Sequence, residues 1–211
     1  LFVVKDERGR PVGFGGRALS PESEPKYLNS PETPLFSKKR LLYGLFEARE
    51  AIRKNDRVVL VEGYFDHLAL LRAGIQETVA SMGTALTPEQ SERLRRLCPR
   101  AIVCYDGDSA GRNATRGALT QLLALRFEAA VARLPGGEDP DDVLQRDGPA
   151  ALARAIEEAP DCLTWLLEDV RPQEPGLSST EKRERVGAIL TILSAIPDRI
   201  LQKPGPLTRT E

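Results

Sequence analysis

Two stretches decide the fold: Val58-Val-Leu-Val-Glu62-Gly-Tyr-Phe-Asp66 and Ile102-Val-Cys-Tyr-Asp106-Gly-Asp108-Ser-Ala-Gly111. Each is a short apolar run that ends in an acid and a glycine and then turns helical. Val58–Val61 is apolar at every position, which suits a strand buried on both faces of a parallel sheet. Ala101–Tyr105 reads as a second strand of the same kind. The spacing predicts a helix over Asp66–Ala73, stopped by Gly74, and Asp66 alone reads as a helix cap. In open α/β sheets the ligand side is the carboxyl end of the strands, so Glu62, Asp106 and Asp108 crowd one rim. Carboxylates held together repel one another, and a hard divalent cation is the usual compensation. An all-oxygen ligand set favours Mg²⁺ or Mn²⁺ over zinc.

Towards the N-terminus, Leu1–Val4 and Val12–Phe14 read as a hairpin. Gly15-Gly16-Arg17 follows, where two glycines permit close backbone approach and an arginine can fork onto phosphate. Ser20–Pro25 reads as a polar loop and Lys26–Pro34 as irregular, broken by Pro31 and Pro34. Lys38-Lys39-Arg40 leads into a helix expected over Leu41–Ala51. Towards the C-terminus, Glu77–Ala80 is a short strand and Ser81–Thr84 a turn on the acid rim. Thr87-Pro88-Glu89-Gln90 has the form of a helix start running to about Leu97.

Ser109–Leu125 is the helix after the second acidic turn, with Arg112 expected to reach the acid rim and Arg116 expected in solvent. Phe127–Leu134 reads as a further strand. The acid-rich loop after it, Pro135–Asp142, reads as a second source of metal ligands on the same rim, with Asp142 opening the next helix. From Pro149 the chain reads as helical: Ala150–Glu158, Cys162–Val170, a linker Arg171–Ser179, a last helix to about Ala195, and a frayed tail from Pro197. Trp165 reads as core, and His67, the only histidine, as structural. These elements divide the chain into 1–55, a basic α/β part; 56–148, the acid-bearing α/β part; and 149–211, a helical part.

A chain of 211 residues can bury a sizeable core. No signal pattern opens it and no apolar run is long enough to span a membrane, so a cytoplasmic protein is the expectation. Three cysteines without paired spacing argue against a disulfide framework and against a zinc ribbon. The net charge of −1 says little, but the positive excess lies in the first part and the negative excess in the middle. That asymmetry suits a phosphate-gripping surface facing a metal site.

The Glu-Gly strand end and the Asp-x-Asp turn resemble the Toprim fold of primases, topoisomerases, some nucleases and recombination factors. Glu62–Asp66, Tyr105–Gly111 and Gly137-Glu138-Asp139-Pro140-Asp141 look like the bacterial replicative DNA primases of the DnaG type. So do Gly13-Phe14-Gly15-Gly16-Arg17 and Lys26–Thr33. The resemblance implies a Toprim-type, mostly parallel sheet flanked by helices, with a mixed α/β N-terminal part and a small C-terminal helical subdomain. It implies a DNA-directed RNA polymerase making short primers on single-stranded DNA from ribonucleoside triphosphates. Glu62, Asp106 and Asp108 would be catalytic and, with Asp139 and Asp141, would hold two or more Mg²⁺ or Mn²⁺. Arg17, Lys26, Asn29, Lys38 and Arg40 would bind nucleotide or DNA. The implied partners are the replicative helicase and single-strand-binding protein in the full-length protein, with this piece a monomer and no membrane involved. His67 departs from the motif, which usually has an aliphatic residue there. The family's N-terminal zinc-binding module and C-terminal helicase-contacting domain are not visible, so the chain reads as a catalytic-core fragment. A Toprim nuclease and a recombination or topoisomerase module remain as alternatives.

Overall fold

The computed structural model describes residues 1–20, 24–170, 179–194 and 196. The expected linker at 171–178 and the tail from Pro197 lie outside them, as does the middle of the loop at 20–25. A central sheet of four parallel strands is ordered β5-β4-β6-β7. These are β4 (Arg57–Val61), β5 (Thr78–Ala80), β6 (Arg100–Val103) and β7 (Glu128–Val131). The connecting helices are α2 (Tyr64–Arg72), α3 (Pro88–Arg95) and α4 (Ser109–Ala124). From β4 the chain steps to one edge and then returns to β6 on the other side. The crevice between the carboxyl ends of β4 and β6 is therefore the place where such sheets bind ligands.

The apolar run at Val58–Val61 is explained by two cores. Val58 and Leu60 pack with Leu45 and Ile52 of α1 (Leu45–Asn55), with Leu119 and Leu122 of α4, and with Leu166 of α7 (Cys162–Val170). Val59 and Val61 face the other way, onto Leu70 of α2, Val143 of α5 (Pro140–Asp147) and Ile156 of α6 (Pro149–Glu157). All four strand residues are fully buried. Trp165 packs against the first core, as the sequence predicts, together with Ile189 of α8 (Ser179–Ser194). Cys104 fills the second core, and all three cysteines are free and buried. Among the described residues no helix is long and apolar enough to cross a membrane.

A second sheet is antiparallel: β1 (Phe2–Lys5), β2 (Pro11–Arg17) and β3 (Tyr27–Asn29), in that order. β3 corrects the irregular reading of Lys26–Pro34: Gly15, Gly16 and Arg17 pair with Asn29, Leu28 and Tyr27. The expected helix over Leu41–Ala51 is also corrected. It starts at Leu45, because Gly44 takes φ 80° and Tyr43 pairs with Ala80 at the end of β5. Leu41 and Leu42 are buried ahead of the helix instead. Tyr64 ties the two sheets together. Its ring stacks on Phe2 at 4.4 Å, its hydroxyl donates to Asn29 Oδ1, and it fills the space over Gly15, where a Cβ would lie 2.3 Å from the ring.

Candidate active site

β4 delivers Glu62 and β6 delivers Asp106 to neighbouring strand ends, because Leu60 is in register with Val103. Gly63 lets the chain turn at once into α2, so Asp66 sits one helical turn beyond Glu62, and its Oδ2 accepts from the Gly63 N–H at 2.8 Å. Asp108 caps α4 by accepting from the Gly111 N–H at 2.7 Å, and Gly111 is packed so closely under Asp106 that a Cβ would lie 2.1 Å from its carbonyl oxygen. The third acidic loop follows β7. Asp139 caps α5 through the Asp142 N–H at 2.8 Å, and Asp141 accepts from Gln145 at 2.8 Å. The helix start expected at Asp142 thus belongs to Asp139.

A cavity of about 540 Å³ opens between these acids and the antiparallel sheet. Glu62, Asp66, Asp106, Asp139, Asp141 and Asp142 line one side, and Arg17, Lys26, Tyr27 and Asn29 the other. The Arg17 guanidinium lies 4.7 Å from the centre of the Phe65 ring. A wider groove shares Arg17, Lys26 and Phe65 with this cavity. Of the sequence-predicted residues, Glu62, Asp106, Asp139, Asp141, Arg17, Lys26 and Asn29 meet here. Asp108 sits on the same turn as Asp106 but is turned to its cap. Lys38 and Arg40 do not line the cavity. Lys38 lies in the segment held to α3, where its carbonyl accepts from Gln90, and Arg40 donates to the Pro34 carbonyl. Asp66 is the residue that sequence reasoning left as a mere cap. The four-residue step from Glu62 into a helix was the available signal, since it returns Asp66 to the same rim.

The electrostatics follow from burial without a compensating cation. The Glu62 carboxyl is pushed up to about 7 by burial, then by the charges of Asp106 and Asp108. Asp66 is pushed up to about 7, by burial first and then by Asp106. Asp106 is raised by burial, then by Asp139 and Asp108. Among the described residues none of the three forms an ion pair, and Glu62 Oε1 is buried with no hydrogen-bond partner. The donor chemistry therefore fits a hard divalent cation. Among the described residues no group of three or more carboxylate, histidine or cysteine side chains is arranged to hold a metal. Ligation by several of these acids requires them to draw together. His67 faces away from the cavity, edge-on to the Tyr43 ring at 4.9 Å, and burial lowers its pKa to about 4.

Residues 59–144 match the Toprim-like family, which fixes the class of the acid-bearing sheet. Residues 1–49 match the N-terminal domain of the DNA primase catalytic core. The chain is 40% identical to the DNA primase of Escherichia coli K12 over 206 residues, covering 96% of this chain and 35% of that protein. It is 40% identical over 190 residues to the Listeria monocytogenes DNA primase, covering 90% and 30%. Its fold matches the zinc-binding and RNA polymerase domains of the Aquifex aeolicus primase at TM-score 0.81 and 37% identity, covering 94% and 47% of the two chains. The chain is homologous to the Toprim-containing catalytic core of the bacterial DnaG-type DNA primases, and belongs to that family. It spans about a third of the length of the curated relatives it matches.

Proposed function

We propose that this chain is the catalytic core of a primase, joining ribonucleotides on a single-stranded DNA template. The 3′-hydroxyl of one nucleotide attacks the α-phosphorus of the next triphosphate, and pyrophosphate leaves. The observation that carries the reading is the cavity itself, with uncompensated carboxylates on one wall facing Arg17 and Lys26 on the other. Glu62, Asp106, Asp108, Asp139 and Asp141 are the residues to hold Mg²⁺ or Mn²⁺. When bound, such cations stabilise charge on the attacking and leaving oxygens. With its pKa raised to about 7, the ionised form of Glu62 is suited to receive the proton of the attacking hydroxyl. Arg17 forks onto the triphosphate, Lys26 adds a point charge, and Asn29 fixes the floor through Tyr64.

Lys38 and Arg40 fit template phosphates outside the cavity, where binding is electrostatic and salt-dependent. A solved DnaG primase catalytic domain bound to single-stranded DNA, 40% identical and at TM-score 0.76, covers 93% of this chain and 62% of its own length and supports the choice of template. The division into 1–55, 56–148 and 149–211 assigns nucleotide and template gripping to the first part and chemistry to the second. In the full-length protein, the replicative helicase and single-strand-binding protein are the partners this reading expects.

The test is a gel. Single-stranded DNA, labelled ribonucleotides and Mg²⁺ or Mn²⁺ are incubated with the protein and with its Asp106→Asn variant. Short labelled RNA that disappears in the variant supports the proposal. Shortened DNA without RNA replaces it with a nuclease.

A further inference from the structure

Behind the Asp106-Gly107-Asp108 turn lies a cavity of about 260 Å³ walled by α4, β7 and α7. Arg112 reaches across it, and its Nη1 donates to the Gly107 carbonyl at 2.7 Å. The expectation that Arg112 approaches the acid rim is met through the backbone, not through a carboxylate. Arg116, expected in solvent, instead forks onto Asp169 of α7, with Nε and Nη2 at 2.8 and 2.5 Å from Oδ2. The other oxygen, Oδ1, lies 3.9 Å from Arg112 Nε. The Asp169 side chain is only 5% exposed. One buried carboxylate therefore faces two arginines that lie a helical turn apart on α4. It offsets their repulsion and steers Arg112 towards the turn.

Gly107 is the residue that most needs such a hold. With no Cβ, its backbone is the freest point between the two aspartates. A Cβ there would lie 2.7 Å from the Gly137 Cα, so the turn and the third acidic loop touch backbone to backbone. The Gly107 N–H is held by the Glu138 carbonyl at 3.2 Å. Its carbonyl is held by Arg112. Both peptide groups flanking Gly107 are thus fixed, one from the third acidic loop and one from α4. Rotation about either would change the separation of the Asp106 and Asp108 carboxylates.

We propose that Arg112, steered by Asp169 of α7, is a positioning residue that sets the spacing of Asp106 and Asp108 for divalent-cation binding. The inference rests on the nucleotidyl-transfer reading above, and makes helix α7 of the helical C-terminal part a brace for the acid turn. Hydrogen-bonded groups behind metal ligands commonly govern affinity in this way.

The test compares Arg112→Ala, Arg112→Lys and Asp169→Asn with the unaltered protein in the full chain. Mg²⁺ is titrated twice: by thermal unfolding without nucleotide or DNA, and by the rate of primer synthesis with kcat separated from the nucleotide KM. For Arg112→Ala the half-saturating Mg²⁺ concentration is expected to rise about 10-fold in both titrations, with the nucleotide KM unchanged. Asp169→Asn moves the same way by less, and Arg112→Lys recovers part of the loss. An unchanged Mg²⁺ half-saturation in the thermal titration overturns the proposal, even where activity falls in step with stability in EDTA. Should Arg112→Ala not fold, Asp169→Asn decides by the same criterion. A protein that makes no primers but shows the shifted thermal titration refutes the primase reading and keeps the brace.

Discussion

The two ends of the central sheet carry acids in opposite circumstances. At the amino end, Arg57 opens β4 and lies between Glu77 at 2.9 Å and Glu157 at 2.5 Å, while Arg100 opens β6 and donates to the carbonyls of Asn55 and Asp56. At the carboxyl end, Glu62 and Asp106 follow the same two strands, and among the described residues neither forms an ion pair. One end is compensated from within the chain and the other awaits charge from outside. The first arrangement serves stability. The second lowers stability and makes sense only where a ligand supplies the missing charge.

The largest expected effect comes from neutralising the uncompensated end. Glu62→Gln is expected to lower primer synthesis on the order of 10²–10⁴-fold, the range for a group that takes part in proton transfer. The same change removes a buried charge that repels its neighbours, so the melting temperature in EDTA should rise. A matched fall in activity and in melting temperature would show Glu62 to be a structural residue. At the compensated end the signs reverse. Arg57→Ala leaves the Glu77 side chain, 4% exposed, without its cation. Breaking a buried pair this way costs about 2–3 kcal/mol once the exposure of Glu157 is discounted. Urea denaturation measures that loss, and the rate per folded molecule should be unchanged.

The same contrast governs what could be read from the sequence. Val58–Val61 is legible because a strand buried on both faces must be apolar throughout, and the start of α3 because its cap is local: Thr87 accepts from the Gln90 N–H at 3.1 Å and Gln90 returns the bond. The acid rim is legible because a parallel sheet sends its strand ends to one side. What escapes is set by distant partners. β3 is three exposed or half-exposed residues whose strand character comes from pairing with β2. Leu41, Leu42 and Leu45 have helical spacing, yet Tyr43 bonds across to Ala80 and delays the helix to Leu45. Nothing local to Arg116 announces Asp169, which lies on another helix.

His67, next to Asp66 in sequence, packs against Tyr43 on another face of α2 and contrasts with the acid rim. Burial lowers the folded pKa of His67 from 6.5 to about 4, so the neutral ring is the favoured form. Its contribution is fully present above pH 6.5 and is lost as the pH falls from 6.5 towards 4. Glu62 and Asp66 behave inversely. Their folded pKa values near 7 mean a penalty above pH 7 that is relieved as the pH falls. Relative to His67→Leu, the unaltered protein should therefore lose up to about 3 kcal/mol between pH 6.5 and 4. Denaturation midpoints of the two proteins across that range check the sign. Parallel curves would remove His67 from the account.

The smallest effect tests the comparison most directly, because it supplies the missing charge. A cation that binds only the folded chain stabilises it by about 1.4 kcal/mol at ten times its dissociation constant, a shift of a few degrees for a domain of this size. Mg²⁺ should raise the melting temperature of the unaltered protein and of Arg57→Ala by the same amount, although the two start from different values. The amino end has its own cations, and weakening it does not alter what the carboxyl end lacks. Asp106→Asn should start higher in EDTA and gain little from Mg²⁺, since the repulsion that the cation relieves has already been removed. A Mg²⁺ response that survived in Asp106→Asn and vanished in Arg57→Ala would invert the assignment of the two ends.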